Sequence, residues 1–237
     1  MNREYHKWWS LRLRREMELL VFGHAGLPVI VFPTSQGKFY EYEDRGMVAA
    51  VGDRLERGVL QLFCVDSVDA ESWYNKRVHP RQRVERHLEY EQYVLQEVAP
   101  LIRTKNPTPR LGVTGCSFGG YHAANIALRH PDVVTFCVTM GAAFDITQFM
   151  DGYYDQEVYF NCPPHFLPNM SDAWYLERYR SNWYLLATGE NDFCWNENER
   201  LAAAMRSQGV NHRLDVWRDG TGHDWPWWRK MAAEYLF

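Results

Sequence analysis

No stretch of this sequence holds the about eighteen consecutive apolar residues that a membrane-crossing helix needs. Its first residues, MNREYHKWWSLRLRRE, alternate charges with aromatics where a secretory signal would carry an apolar core of roughly seven to fifteen residues. Both absences lead to the expectation of a cytoplasmic protein with no membrane partner. Cysteine is scarce and unpatterned. Cys64, Cys116, Cys137, Cys162 and Cys194 are odd in number and form no CxxC pair, which argues against a fully paired secreted framework and against a zinc site, and predicts reduced, buried thiols. An excess of positive charge is missing too. Lys and Arg number 26 against 30 Asp and Glu, a net charge of −4, so no polycationic surface awaits nucleic acid. No internal repeat, low-complexity tract or linker divides the chain. Its 237 residues therefore read as one domain over 1–237, large enough to bury roughly 70 to 75 % of its unfolded surface without disulfide or structural metal.

What the sequence has in plenty is aromatic side chains: ten Trp, fourteen Tyr and twelve Phe. Such residues fill a core or line a pocket for a flat ligand, and composition does not separate the two. Residues 7–23 read as two short strands, a hairpin at a sheet edge. The runs 27–33, 58–66, 110–116, 133–141, 182–189 and 212–220 are short apolar stretches that end at Gly, Pro, Asp or, after Cys116, Ser, and their continuous hydrophobicity suits strands covered on both faces. Between them, 41–57, 80–99, 118–130, 196–208 and 225–236 are helix-like. Within 80–99, Glu91 interrupts the apolar stripe and Pro100 is expected to end or kink the helix. Strand and helix alternate, which predicts an α/β fold with a mainly parallel sheet, helices on both faces, and ligand chemistry at the strands' carboxyl ends.

A motif sits at one of those ends. Gly115-Cys116-Ser117-Phe118-Gly119 follows the run LGVT directly and opens the helix-like YHAANIALRH. The G-x-S-x-G spacing at a strand-to-helix turn is that of a nucleophile elbow, in which glycines remove the Cβ atoms that would collide and the serine hydroxyl is raised above a helix N-terminus. The bland alternative is a Gly-rich turn with an ordinary capping serine.

A serine hydroxyl needs a base to attack at neutral pH, and His is the side chain suited to it. Of nine histidines, His223 stands in the Gly-rich loop Gly220-Thr221-Gly222-His223-Asp224-Trp225, after the last strand and before the terminal helix. His122 and His130, on the elbow helix, read as packing residues or partners of its C-terminal dipole, and His24 lies in a turn with nothing paired to it. The base needs a carboxylate to fix its tautomer. Asp192, in Thr188-Gly189-Glu190-Asn191-Asp192 after the penultimate strand, is the choice that preserves the order Ser, Asp, His. Glu190 and Asn191 share its loop, and Asp145 is the main competitor. The oxyanion calls for two N–H donors, one from Phe118 and one from Pro33-Thr34-Ser35-Gln36-Gly37 after the first apolar run.

On PVIVFPTSQG, SWYN (Ser72–Asn75), YEQYVLQEVAPLI, GCSFGGYHAANIALRHPDVV, GENDF and GHDWPWW, the chain resembles the α/β-hydrolase fold over nearly its whole length. Within that fold it resembles the putative esterase family of S-formylglutathione hydrolases, enterochelin, feruloyl and acetylxylan esterases and mycolyltransferases. The resemblance implies a sheet of about eight strands, with Ser117 as nucleophile, Asp192 as acid, His223 as base and the N–H groups of Gln36 and Phe118 as oxyanion donors. The chain departs from those relatives at Ser35, where they carry Gly. Trp73, Tyr74 and Trp225, with Tyr153 and Tyr154, are candidates to line an acyl pocket or to pack in the core, and 145–181 reads as a cap-like excursion or a packed one. The expected activity is that of a serine carboxylesterase on a small-molecule ester, with no metal or organic cofactor. Acyl transfer to an alcohol, thioester hydrolysis and a non-catalytic ligand-binding role remain as alternatives, and a homo-oligomer is compatible with the text.

Overall fold

The six apolar runs become six neighbouring strands of one sheet in a computed structural model that describes residues 1–236. They are β3 (Leu27–Phe32), β4 (Leu60–Val65), β5 (Gly112–Cys116), β6 (Phe136–Met140), β7 (Trp183–Gly189) and β8 (His212–Trp217). The expected hairpin, β1 (Arg3–Ser10) and β2 (Arg15–Phe22), lies at the edge, and the eight strands run in the order β1-β2-β4-β3-β5-β6-β7-β8. β1 and β2 pair antiparallel with each other, β2 pairs antiparallel with β4, and all remaining pairs are parallel.

Continuous apolarity has a direct cause. Along β3, Ile30 and Phe32 face one core while Val29 and Val31 face the other, because successive side chains of a strand point to opposite sides. The first core packs under α4 (Pro80–Tyr93), α5 (Ala99–Lys105), α6 (Phe118–Arg129) and α10 (Trp195–Ser207). The second packs under α1 (Glu41–Asp44), α2 (Met47–Ala50), α3 (Gly52–Glu56) and α11 (Trp225–Tyr235). The expected single helix over 41–57 is thus three short ones. Gly46, at φ 74°, breaks the first from the second, since a left-handed residue cannot continue a helix.

The helix read over 80–99 runs on past Pro100. A π-helical turn at Val94–Val98 widens the ladder just ahead of the proline, which lacks an N–H and crowds the carbonyl four residues back, and α5 then continues to Lys105. The apparent interruption at Glu91 is a buried ion pair. Arg129 donates to both carboxylate oxygens at 2.7 and 3.1 Å, and His130 Nε2 lies 3.0 Å away. Burial alone would raise Glu91, but the contact with His130 and the Arg129 guanidinium outweigh it and hold the carboxyl down at about 2.

The segment 145–181 folds into α7 (Gln156–Phe160), α8 (Pro163–Phe166) and α9 (Ala173–Ser181). Ile146, Met150, Val158 and Cys162 join Trp73, Phe118 and Tyr121 in a third apolar cluster. Tyr121 and Tyr179 donate to the carbonyls of Asn161 and Leu128, tying the segment to α6 at both ends.

Behind α6, His87 is buried against Trp73 and Tyr121, its Nε2 facing Asn161 Oδ1 at 3.1 Å. Burial, helped by nearby His122, pushes its proton affinity down to about 3. The unfolded chain takes up this proton near the ordinary value of 6.5, so the folded state loses stability as pH falls from there towards 3. Urea unfolding is expected to show about 2 kcal/mol less stability at pH 5 than at pH 6.5. His87→Gln should flatten that slope; an unchanged slope in the variant would contradict the assignment. Glu91, also depressed, adds a further loss between its ordinary 4.5 and about 2.

Parallel register aligns the carboxyl ends of the strands. Phe32 pairs with Gly115, Cys116 with Met140, Met140 with Ala187 and Gly189 with Trp217. The loops that follow these residues consequently gather along one edge of the sheet.

Candidate active site

Ser117 is the first residue after β5, held at φ 53° and ψ −123°, a conformation that side chains other than Gly rarely adopt. Its N–H donates to Met140 O at 2.9 Å and its carbonyl accepts from Gly120 N–H, so the turn is locked from both sides. A Cβ on Gly115 would lie 2.2 Å from the backbone of Gly119, and one on Gly119 would lie 2.4 Å from Phe32 O, which is why the turn takes glycine at both places. Ser117 stands in the N-cap position of α6, yet its hydroxyl makes no capping hydrogen bond. The bland reading of a capping serine fails on that point.

The hydroxyl turns instead to His223, with Oγ 2.9 Å from Nε2. His223 Nδ1 lies 2.9 Å from Oδ1 of Asp192. The Asp192 side chain is 1 % exposed and that of His223 is 12 % exposed, so the couple is shielded and the hydroxyl end is open. The two loops are bound together: Asn191 N–H donates to Thr221 O, and Glu190 accepts from Gly220 N–H. Glu190 and Asn191 thus brace the loop that carries Asp192. Asp145 is placed elsewhere, 3.3 Å from Arg200 and 3.6 Å from His165. His24 is exposed at the amino end of β3, away from this edge.

The loop 33–37 is fastened at three points. Thr34 donates through N–H and hydroxyl to the two oxygens of Glu41, Tyr74 donates to Ser35 Oγ at 2.7 Å, and Gln36 N–H donates to Asp69 Oδ2 at 3.1 Å. Asp69 Oδ1 lies 2.9 Å from Nε2 of His122, and both side chains are buried. This corrects two expectations. The Gln36 N–H assigned to the oxyanion is already taken by a carboxylate, and His122 is the partner of that carboxylate instead of a packing or dipole residue. The Phe118 N–H, at the start of α6, has no acceptor among the described residues.

The aromatic candidates divide. Trp73 is fully buried against His87 and Tyr121 and lines no cleft, a correction that follows from its position one residue before Tyr74 in a tight turn. Tyr74 meets Phe118 and Phe149 beside the elbow. Trp225 packs on the second core and against Trp228, with the Arg45 guanidinium over its ring. Tyr153 bonds Asp155, and Tyr154 meets His165. Phe193, which the sequence reading passed over, is 77 % exposed with its ring 4.0 Å from the His223 imidazole. Its only signal in the text is adjacency to Asp192.

Two groups among the described residues bring three donor atoms within 4.8 Å, Asp145 with Cys162 and His165, and Asp192 with Cys194 and His223. Burial pushes the Cys162 thiol up to about 12 and the Cys194 thiol up as well, and Arg200 adjoins the first group. All five cysteines are free and buried, as expected, and among the described residues no helix is long and apolar enough to cross a membrane.

The sequence profile of a family described as "Putative esterase" matches residues 43–235. Among solved structures, the chain is similar to a ferulic acid esterase at TM-score 0.79 and 19 % identity, covering 99 % of this chain and 96 % of that one. It is similar to an S-formylglutathione hydrolase from Agrobacterium tumefaciens at TM-score 0.76 and 15 % identity, with 99 % and 92 % covered. A fluorophosphonate-binding serine hydrolase from Staphylococcus aureus follows at TM-score 0.66 and 17 % identity, with 99 % and 96 % covered. No curated protein sequence matches the chain.

Proposed function

The chain belongs to the putative esterase family, a carboxylic ester hydrolase on the α/β-hydrolase fold, and from that premise we propose that it works by two-step acyl transfer through Ser117, His223 and Asp192. Ser117 Oγ attacks the ester carbonyl as His223 Nε2 takes its proton; the proton passes to the leaving alcohol, and water then releases the acyl group by the same route. Asp192 orients the imidazole and stabilises its charged form. Phe118 N–H, at the positive end of α6, receives the oxyanion. A role for Gln36 N–H as second donor requires that it share or leave Asp69. The single observation that carries this reading is the unbroken 2.9 Å chain from hydroxyl to imidazole to carboxylate, made by a serine that caps nothing.

A fluorophosphonate adduct mapped by mass spectrometry tests it. Labelling at Ser117 that drops in His223→Ala supports the mechanism, whereas folded protein that takes no label and leaves p-nitrophenyl acetate intact favours a binding role. The same three residues serve an ester or a thioester. Faster turnover with an added alcohol acceptor and negligible hydrolysis would replace esterase with acyltransferase.

The exposed Phe193 ring, resting on the His223 imidazole, offers an apolar wall to the substrate beside the base. Phe193→Ala is expected to lower kcat/KM for methyl cinnamate about tenfold relative to methyl butyrate. Equal losses on both esters would deny it a role in selection. We further read 1–237 as one domain with 145–181 as a packed excursion, in the cytoplasm; five free, buried thiols support a reducing setting.

A further inference from the structure

Asp192 has an incomplete set of hydrogen bonds. Its Oδ1 faces both His223 Nδ1 at 2.9 Å and the Cys194 N–H at 2.8 Å, while Oδ2 is buried with no donor among the described residues. Trp228, 4 % exposed on α11, has the complementary deficit: its indole Nε1–H is buried with no acceptor among the described residues. Buried polar groups are costly without partners, and here a lone acceptor and a lone donor share one location. A Cβ built on Gly141 would fall 2.5 Å from Asp192 Oδ2, 2.9 Å from Trp228 Nε1 and 3.2 Å from His223 Nδ1. Gly141 has no such atom, and the three groups face the space it leaves. The Trp228 ring also meets the His223 imidazole edge-on, centroids 4.8 Å apart at 83°.

We propose that Trp228 is a positioning residue of the triad: a small rotation brings its indole N–H, unbonded in this structure, onto Oδ2 of Asp192 and fixes the rotation of the carboxylate so that Oδ1 stays aimed at His223. The inference rests on the triad reading above. It gives α11 a second task. The helix begins at Trp225, next to the loop that holds the base, and its first turn reaches back to hold the acid, so one element sets the distance between the two. Trp228 does not touch the reacting atoms; it acts through Asp192.

Trp228→Phe keeps the ring and removes the donor. With p-nitrophenyl acetate, kcat is expected to fall about tenfold or more while KM stays within about twofold. Combined with Asp192→Ala, the substitution should cost nothing further, because its effect passes through the lost carboxylate. In ¹H–¹⁵N spectra, the indole resonance absent from Trp228→Phe should lie downfield of the other indoles and move upfield in Asp192→Ala. Full kcat in Trp228→Phe, an additive loss in the double variant, or an indole resonance that ignores Asp192→Ala would overturn the inference. If Trp228→Phe does not fold, sequential assignment of the wild-type resonance and its response to Asp192→Ala decide. Should Asp192→Ala itself retain full turnover, the triad reading has failed, a different outcome from a Trp228 that is silent while Asp192 is essential.

Discussion

Ser117→Ala is expected to lower kcat for p-nitrophenyl acetate by about ten thousand- to a millionfold, with Tm within about 2 °C of the parent. The reason lies in how little the hydroxyl does for the fold. It caps no helix, its one partner among the described residues is the imidazole of His223, and the turn is held by the backbone bonds to Met140 and Gly120. Alanine therefore removes the nucleophile and leaves the scaffold. Ser117→Gly separates the two properties further. At φ 53° a Cβ is strained, so glycine should unfold about 1 kcal/mol later than alanine while being equally inactive. His223→Ala should lose about as much activity as Ser117→Ala, and the double variant no more than either, because nucleophile and base work as one unit. A folded Ser117→Ala that keeps a tenth of its turnover would end the proposal.

The parts of this molecule legible in the sequence are those whose determinants are local. Val29 to Phe32 announce a strand covered on both faces, since each neighbour must satisfy a different core, and the elbow text lies within five consecutive residues. What stayed hidden depends on contacts across the chain. Asp69 and His122 are 53 positions apart, and neither looks unusual until α6 lays the imidazole over the loop after β4. Their union also changes the reading of Gln36, whose N–H is free in the text and occupied in space. Trp73 and Tyr74 are adjacent and chemically alike, yet a turn sends one into the core and the other to the elbow, a choice no composition argument makes. Pro100 misleads for a different reason: the π turn that accommodates it leaves no sequence mark stronger than the proline itself.

The elbow's dependence on glycine gives the second large effect, on stability. Gly115→Ala is expected to lower Tm by about 6 to 12 °C, corresponding to a loss of about 3 kcal/mol in a domain of this size. The added Cβ would stand 2.2 Å from Gly119 C and 2.3 Å from Gly119 O, and these are backbone atoms of α6 with no rotamer to retreat into. Relief requires the helix to move off β5. The same turn of α6 also sits on the end of the neighbouring strand, because Gly119 Cα approaches Phe32 and Pro33 so closely that a Cβ there would meet their carbonyl oxygens at 2.4 and 2.5 Å. Strand, helix and the 33–37 loop therefore form one close-packed stack, and strain entered at residue 115 must reach the loop whose threonine, serine and glutamine are tied to Glu41, Tyr74 and Asp69. Turnover should consequently fall in Gly115→Ala even at temperatures where the variant is folded, by a factor that grows with displacement of that loop. Gly52→Ala is the control. It lies at the start of α3 with no atom within 4 Å of the new Cβ and should shift Tm by less than about 2 °C. Equal melting of the two variants would mean that the close approach at residue 115 is not what shapes the turn beneath Ser117.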